Sequence, residues 1–365
     1  MPQVFQYDLI IVGGGPAGAT AARCLAPGVR ALLLDLKHPG PGSFAKPCGG
    51  LLAPDAQKVL AGFDLCLPKE VLVDPQIFAV RTTDLATGRT RCYQRFYLNV
   101  DRQKFDLWLL ELARPHAELA QNARCTALRR LPGGGFEADY RQNGQTRTVS
   151  APFVLGADGA NSLVRRSLFP RARIRRYLAI QQWFADRNPA PFYSCVFDSR
   201  RTDCYSWALA KDGSFLFGGA YPPRGGPAAF EAQKQQLEQQ FGYRFGAPLR
   251  TEACLVLRPA TPFQFCTGQG GALLAGEAAG FVSPSSLEGI SSAMETGRLA
   301  ARALSAALTG GGSAAARYRA AVLPLRLKMT AKLCKCPFLY RPLLRRLVMA
   351  SGLDSIRVED GPDAG

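Results

Sequence analysis

The sequence predicts a mixed α/β fold: a parallel-sheet unit interrupted by an inserted antiparallel sheet and followed by helices. Three observations predict it. An apolar run at 7–12 passes through a glycine-rich turn into a helical pattern within the first 25 residues. Two later apolar runs, near 154 and 272, also end in glycine-containing turns. Six shorter runs, alternating or rich in aromatics, lie between and around them, bounded by turn residues. The 365 residues suffice for about two domains of roughly 100–200 residues. The apolar fraction of 47% rules out wholesale disorder. No run approaches the ~18 uninterrupted apolar residues of a membrane span.

The first element is the strand YDLIIV at 7–12, apolar enough for burial on both faces. Gly13-Gly14-Gly15-Pro16-Ala17-Gly18 follows, then AGATAARCLA, which reads as a helix. Strand, GxGxxG and helix in that order form a dinucleotide-binding, Rossmann-type unit. Gly13 permits the tight turn, Gly15 lets backbone approach a pyrophosphate, and Gly18 permits close helix–strand packing. A second strand at 30–34 ends in Asp35, 22 residues after Gly13. An acid there hydrogen-bonds the ribose hydroxyls of an adenosine and repels a 2′-phosphate, which excludes NADP at this site. NAD and FAD both remain open on this motif.

Two further segments bear on that choice. Val154 to Ser162 (VLGADGANS) follows an apolar strand and precedes Val164-Arg165-Arg166. Ala272 to Gly280 (ALLAGEAAG) ends another strand, and PSSLEGI at 284–290 is expected to open a helix. In this order, after an N-terminal GxGxxG, they resemble the flavoprotein superfamily of para-hydroxybenzoate hydroxylase and geranylgeranyl reductase. The resemblance implies that the three motifs surround one FAD.

Finer features extend it. SFAKPCGGL at 43–51 resembles the Cys-Gly-Gly segment of geranylgeranyl reductases, which implies that Cys48, Gly49 and Leu51 lie beside the isoalloxazine ring. Asp101-Arg102-Gln103-Lys104-Phe105-Asp106 resembles the family's helix start whose arginine contacts the FAD phosphates, here Arg102. Cys204-Tyr205-Ser206-Trp207, with Lys211-Asp212-Gly213 and Gly218-Gly219, is similar to the Tyr-x-Trp strand over the flavin. The pattern is most similar to the CbrA-type (colicin M resistance) branch. The cofactor set it implies comprises Gly13, Gly15, Pro16, Ala17, Gly18, Asp35, Cys48, Gly49, Leu51, Arg102, Cys125, Asp158, Gly276, Glu277, Gly289 and Ile290. One departure is Gly276-Glu277 where the family usually has Gly-Asp, so the grip on the ribitol or pyrophosphate is expected to differ in reach.

These motifs make the FAD-binding domain discontinuous, at 1–75, 98–170 and 255–305. A substrate-binding β-sheet domain at 76–97 and 171–254 would be built from runs at 76–81, 90–96, 178–185, 192–198, 204–210 and 214–221. The runs at 136–140 and 145–149, joined across Asn143-Gly144, read as a hairpin within the FAD domain. Gly310-Gly311-Gly312 is a linker before a basic, helical C-terminal segment at 306–365.

Charge is concentrated in that segment. The net charge is +17, and no Asp or Glu occurs between Thr296 and Leu353, a stretch holding eleven Lys and Arg. Such a tail is expected either to contact anionic membrane peripherally or to pack on the FAD domain with its charges outward; specific nucleic-acid binding is not expected. Eleven cysteines without a CxxC, and only two histidines, supply neither a disulfide ladder nor a metal centre. The start Met1-Pro2-Gln3 shows no basic-then-apolar leader, so a reducing, cytoplasmic location is expected.

Candidate catalytic residues are Cys48, Tyr205 and Trp207. Cys48, wedged among Lys46, Pro47, Gly49 and Gly50, is either a small buried hydrophobe or a flavin contact with a redox or proton-donating role. With no cysteine a few residues away, a dithiol relay is disfavoured. Tyr205 and Trp207 either fill a core or line an apolar pocket, and such a lining favours a hydrophobic small-molecule or lipid substrate. The resemblance implies an FAD-dependent oxidoreductase, reducing isoprenoid or polyprenyl C=C bonds. The alternatives are a monooxygenase that hydroxylates an aromatic through a C4a-hydroperoxide, and an FAD-binding resistance or regulatory protein with little turnover. No second GxGxxG offers a bound-nicotinamide site, so the electron donor is expected to be external, NAD(P)H or a partner reductase.

Overall fold

Leu9–Val12 is fully apolar and every residue in it is buried, because it lies at the centre of a sheet covered on both faces. The computed structural model describes residues 4–186 and 192–358, so the Met1-Pro2-Gln3 start and the last residues of the basic segment lie outside the described residues. Leu9–Val12 pairs in parallel with Ala31–Leu34 on one side and Phe153–Gly156 on the other. Glu118–Ala120 and Ala272–Leu274 extend the sheet in parallel, and Gly268–Gln269 closes one edge antiparallel, giving six strands. The helices Pro16–Arg23, Arg102–Ala113 and Ile290–Gly310 supply buried apolar residues to one core with this sheet. This is the α/β, Rossmann-type arrangement expected from the strand–glycine–helix pattern.

The inserted sheet is larger than the sequence reading had it. Its main path runs Arg250–Leu257, Arg176–Ala185, Ser214–Tyr221, Ser206–Lys211, Phe192–Phe197, Ile77–Asp84, Arg89–Asn99 and Ser355–Ile356, and Leu51–Leu52 also pairs with Arg89–Asn99. Two of these strands were not expected: Arg250–Leu257, at one edge, and Ser355–Ile356, in a segment read as helical. The sheet is also not wholly antiparallel, since Phe192–Phe197 and Ile77–Asp84 run in parallel. They come from separate passages of the chain, so no hairpin fixes their relative direction. The insert carries a helix too, Gly226–Phe241, whose Phe230 and Leu237 pack on Phe217 and Tyr221. The predicted hairpin is present as Phe136–Gln142 and Gln145–Ala151, joined by a third strand, Ala123–Arg130.

Candidate functional site

One long groove of about 850 Å³ runs between the parallel sheet and the inserted one. At its start, Gly13 has φ +100°, and a Cβ there would stand 2.6 Å from the Ala157 carbonyl oxygen. Gly18 does not line the groove but backs it, because a Cβ at that position would fall 1.8 Å from the Gly13 oxygen. Gly15 faces open space and caps the helix Pro16–Arg23 without a side chain, leaving its N–H donors toward the groove. Pro16 and Ala17 line the same end.

Asp35 is buried at the tip of its strand. Its carboxylate accepts the Gly14 N–H, the Lys37 N–H at 2.7 Å and the Lys37 ammonium at 3.2 Å. Lys37, which sequence reasoning missed, also stands 3.8 Å from Asp106. Arg102 begins a helix capped by Asp101, which accepts the Gln103 and Lys104 N–H groups at 2.8 and 3.0 Å. Its guanidinium donates to Asp106 at 2.9 Å and lines the groove.

Farther along, Cys48, Gly49 and Leu51 line the groove from the loop after Lys46. Burial pushes the Cys48 thiol up, but the Arg102 charge, the Gly50 N–H and Lys46 outweigh it, so its pKa falls below the ordinary thiol value. Gly50 cannot carry a side chain: with φ +66°, a Cβ would lie 2.3 Å from the Val100 oxygen and 2.7 Å from the Lys211 ammonium. Asp158 caps the helix Leu163–Leu168 through one oxygen, accepting Leu163 N–H at 2.6 Å and Val164 N–H at 3.2 Å. Its other oxygen is buried without a hydrogen-bond partner, and burial raises its pKa. Cys125 lines the groove nearby, its thiol pushed up to about 12 by burial and then by Asp158.

Glu277 lines the groove beside these residues. It accepts the Leu257 N–H at 3.0 Å through one oxygen and pairs with Lys46 through the other. The extra methylene relative to Asp carries the carboxylate as far as these two partners. Gly276 does not line the groove; it lies under the turn, where a Cβ would meet Ala17 and Ala293. The segment 284–289 is a turn, not a helix, and the helix proper begins at Ile290, with Gly289 as an uncapped start lining the groove.

The inner end is aromatic. Tyr97, Tyr193, Tyr205 and Trp207 line it, together with Val256, Val282 and Leu287. Tyr193 donates to the Tyr205 hydroxyl at 3.3 Å, and Tyr205 to the Ser286 carbonyl at 2.6 Å. Tyr97 donates to Glu288 at 2.9 Å. Trp207 sits opposite Gly218 on the adjacent strand, and a Cβ on Gly218 would lie 2.7 Å from the indole nitrogen, whereas one on Gly219 would lie 2.6 Å from the Tyr221 hydroxyl. Gly49 approaches the same indole, its Cβ position 3.9 Å from the ring. Tyr97 and Glu288 escaped sequence reasoning because their strand and turn contexts carry no distinctive spacing, and Tyr193 reads from sequence as one core aromatic among many in its sheet. Among the described residues no group of three or more His, Cys, Asp and Glu could hold a metal ion.

No family model matches the chain. Protein CbrA of Escherichia coli O9:H4 (strain HS) is 44% identical over 358 residues, 98% of this chain and 96% of that protein. The chain belongs to the CbrA family. A second member, from Shigella flexneri serotype 5b (strain 8401), matches at the same 44% over 358 residues. The CbrA-family fold seen here is shared with solved structures. A geranylgeranyl bacteriochlorophyll reductase-like protein from Thermoplasma acidophilum superposes with a TM-score of 0.78 at 22% identity, over 94% of this chain and 90% of that one. The p-nitrophenol 4-monooxygenase PnpA from Pseudomonas putida DLL-E4 superposes with a TM-score of 0.67 at 18% identity, over 94% and 92% of the two chains. This CbrA-family chain therefore has the fold of flavin-dependent oxidoreductases.

Proposed function

We propose that the protein is an FAD-dependent oxidoreductase that reduces carbon–carbon double bonds of an isoprenoid or polyprenyl substrate. The observation that carries this reading is the wall of Tyr97, Tyr193, Tyr205 and Trp207 set against the Cys48 loop at the inner end of the groove. The residues fit FAD: an open, uncapped helix start at Gly15, a buried acid at Asp35, an unpartnered buried oxygen on Asp158, and a second uncapped helix start at Gly289. FAD, when bound, supplies hydride transfer.

The chain's own residues do the rest. Backbone N–H groups of the turn at 13–17 and the Arg102 guanidinium would hold the pyrophosphate, and Asp35 the ribose. Alkene reduction adds a hydride to one carbon and a proton to the other. Cys48, whose pKa is lowered by Arg102, Gly50 and Lys46 against the effect of burial, is assigned the proton. Tyr205, fixed through Ser286, and Trp207 would grip an apolar chain and exclude water. The electrons would come from outside, from NAD(P)H or a partner reductase.

Hydroxylation of an aromatic is the second reading, favoured by the fold shared with p-nitrophenol 4-monooxygenase. The deciding experiment reduces the flavoprotein anaerobically and mixes it with a polyprenyl alkene or with O2. Fast flavin reoxidation by the alkene, yielding a saturated product, is the expected result. Fast reoxidation by O2 coupled to phenol hydroxylation would overturn it in favour of the monooxygenase. Absence of turnover with either would point to a binding or regulatory role.

A further inference from the structure

The C-terminal helices present two different faces. The inner face is anchored by polar contacts. Arg345 donates to the Asp84 carboxylate of the inserted sheet at 3.0 Å, and Tyr340 donates to the Ser285 carbonyl at 2.8 Å. The Arg258 guanidinium lies 4.1 Å from the Tyr340 ring centre. The outer face is apolar and basic. On the helix Pro342–Ser351, Leu343 and Leu347 stand one turn apart, 76% and 66% exposed, with Arg346 beside them. On Leu323–Leu333, Leu323 and Leu327 repeat that spacing, and Phe338 is exposed between the two helices. A helix that merely caps a core turns its leucines inward. Lys335, Arg341 and Arg346 have no acidic partner among the described residues, whereas Lys328 and Lys332 share Asp55.

We propose that this outer face docks the protein on the surface of an anionic lipid bilayer. The helices would lie in the plane of the membrane, with the leucines and Phe338 at the headgroup–acyl boundary and the unpaired cations on the headgroups. A bilayer is the occupant that answers both features. An acidic protein would match the charge and leave the leucines wet. A second copy would set a chain of net charge +17 against its own kind, basic face to basic face. Among the described residues no helix is long and apolar enough to cross a membrane, so the contact is peripheral.

The placement matters for the groove. The same segment supports the turn after Val282: Tyr340 bonds Ser285, and the Cys336 thiol bonds the Pro284 carbonyl at 3.4 Å. Ser286, Leu287 and Glu288 of that turn line the inner chamber. The segment that would dock thus backs one wall of the chamber with its inner face, which suits a substrate insoluble in water. Docking itself does not rest on the proposed reaction, and the test reads binding alone, so either can fail without the other.

The test is co-sedimentation of the full chain with vesicles of phosphatidylcholine, or of phosphatidylcholine mixed with phosphatidylglycerol, across a salt series. Pelleting with the mixed vesicles only, weakening as salt rises, is expected. R341Q/R346Q should weaken it by about fivefold per charge removed at low salt. L343Q/L347Q should weaken it by roughly tenfold or more at every salt concentration. These side chains are exposed, so flavin content and Tm should stay at parental values. Equal pelleting with both vesicle types, or parental binding by the charge variant, would overturn the proposal. A dimer in sedimentation velocity that L343Q/L347Q dissociates would overturn it too, in favour of a second copy.

Discussion

Arg345 and Asp84 meet at 3.0 Å with side chains only 4% and 0% exposed. The last helix is therefore tied to the inserted sheet by a buried ion pair spanning 261 positions of sequence. Asp84 also accepts the Ala86 N–H at 3.1 Å, and the guanidinium lies 5.1 Å from the Phe197 ring centre.

Breaking that pair from one side leaves a buried charge alone. Arg345→Met should lower stability by about 3–5 kcal/mol, read from the urea midpoint. Pairing it with Asp84→Leu should recover most of the loss, because the charge itself is then gone. Equal midpoints for the parent and the single variant would show that the pair contributes nothing.

Asp35→Ala should weaken FAD binding by about 1–3 kcal/mol, measured by flavin titration of apoprotein. The variant loses the acceptor proposed for the ribose and also the carboxylate that fixes the Gly14 N–H and Lys37. Parental affinity would remove the ribose assignment.

Arg102→Ala should give protein that folds but is largely free of flavin. Folding survives because Asp106, deprived of Arg102 at 2.9 Å, keeps Lys37 at 3.8 Å. The ratio of flavin absorbance to protein, taken with the melting temperature, checks both halves of the prediction.

Lys211 gives a pH signature. Burial lowers its pKa to about 8, although its ammonium donates to the Val100 carbonyl at 2.6 Å. Between that value and the ordinary lysine pKa, the unfolded chain binds a proton that the folded chain does not. The contribution of Lys211 to stability therefore rises as pH climbs from about 8 toward ~10.5 and is least favourable below that window. Subtracting the pH–stability curve of Lys211→Met from that of the parent should leave this rise. A flat difference would mean that the amine titrates normally.

The glycines and acids of the groove were legible because each answers to a backbone constraint that spacing reveals. Gly13 with its left-handed φ, and Asp35 at a strand tip, stand out because a strand and a helix flank them in the sequence itself. What stayed hidden was set by contacts between distant segments. Lys46 is an ordinary loop lysine until Glu277 is seen 231 positions away. The strand Arg250–Leu257 carries Arg, Thr and Glu and lacks the aromatic richness of its neighbours, so only its pairing with Arg176–Ala185 identifies it. The tail was read as helices, which most of it is, but nothing local marked Ser355–Ile356 as a partner for Cys92 and Tyr93.

The interleaved order of the two sheets bears on how the chain assembles during synthesis. The first strand finds one of its two neighbours early, at Ala31–Leu34, but must wait for Phe153–Gly156 to gain the other. The sheet then waits again, through the second part of the insert, for Ala272–Leu274. Gly289 and Ile290, which complete the groove wall, emerge later still. An N-terminal fragment ending before Ala272 would hold the Gly13–Gly18 turn and Asp35 without the lining that Glu277, Val282 and residues 286–290 supply. A flavin would therefore be captured late in the life of the nascent chain, and intermediates before that point would expose the apolar edge of a half-built sheet.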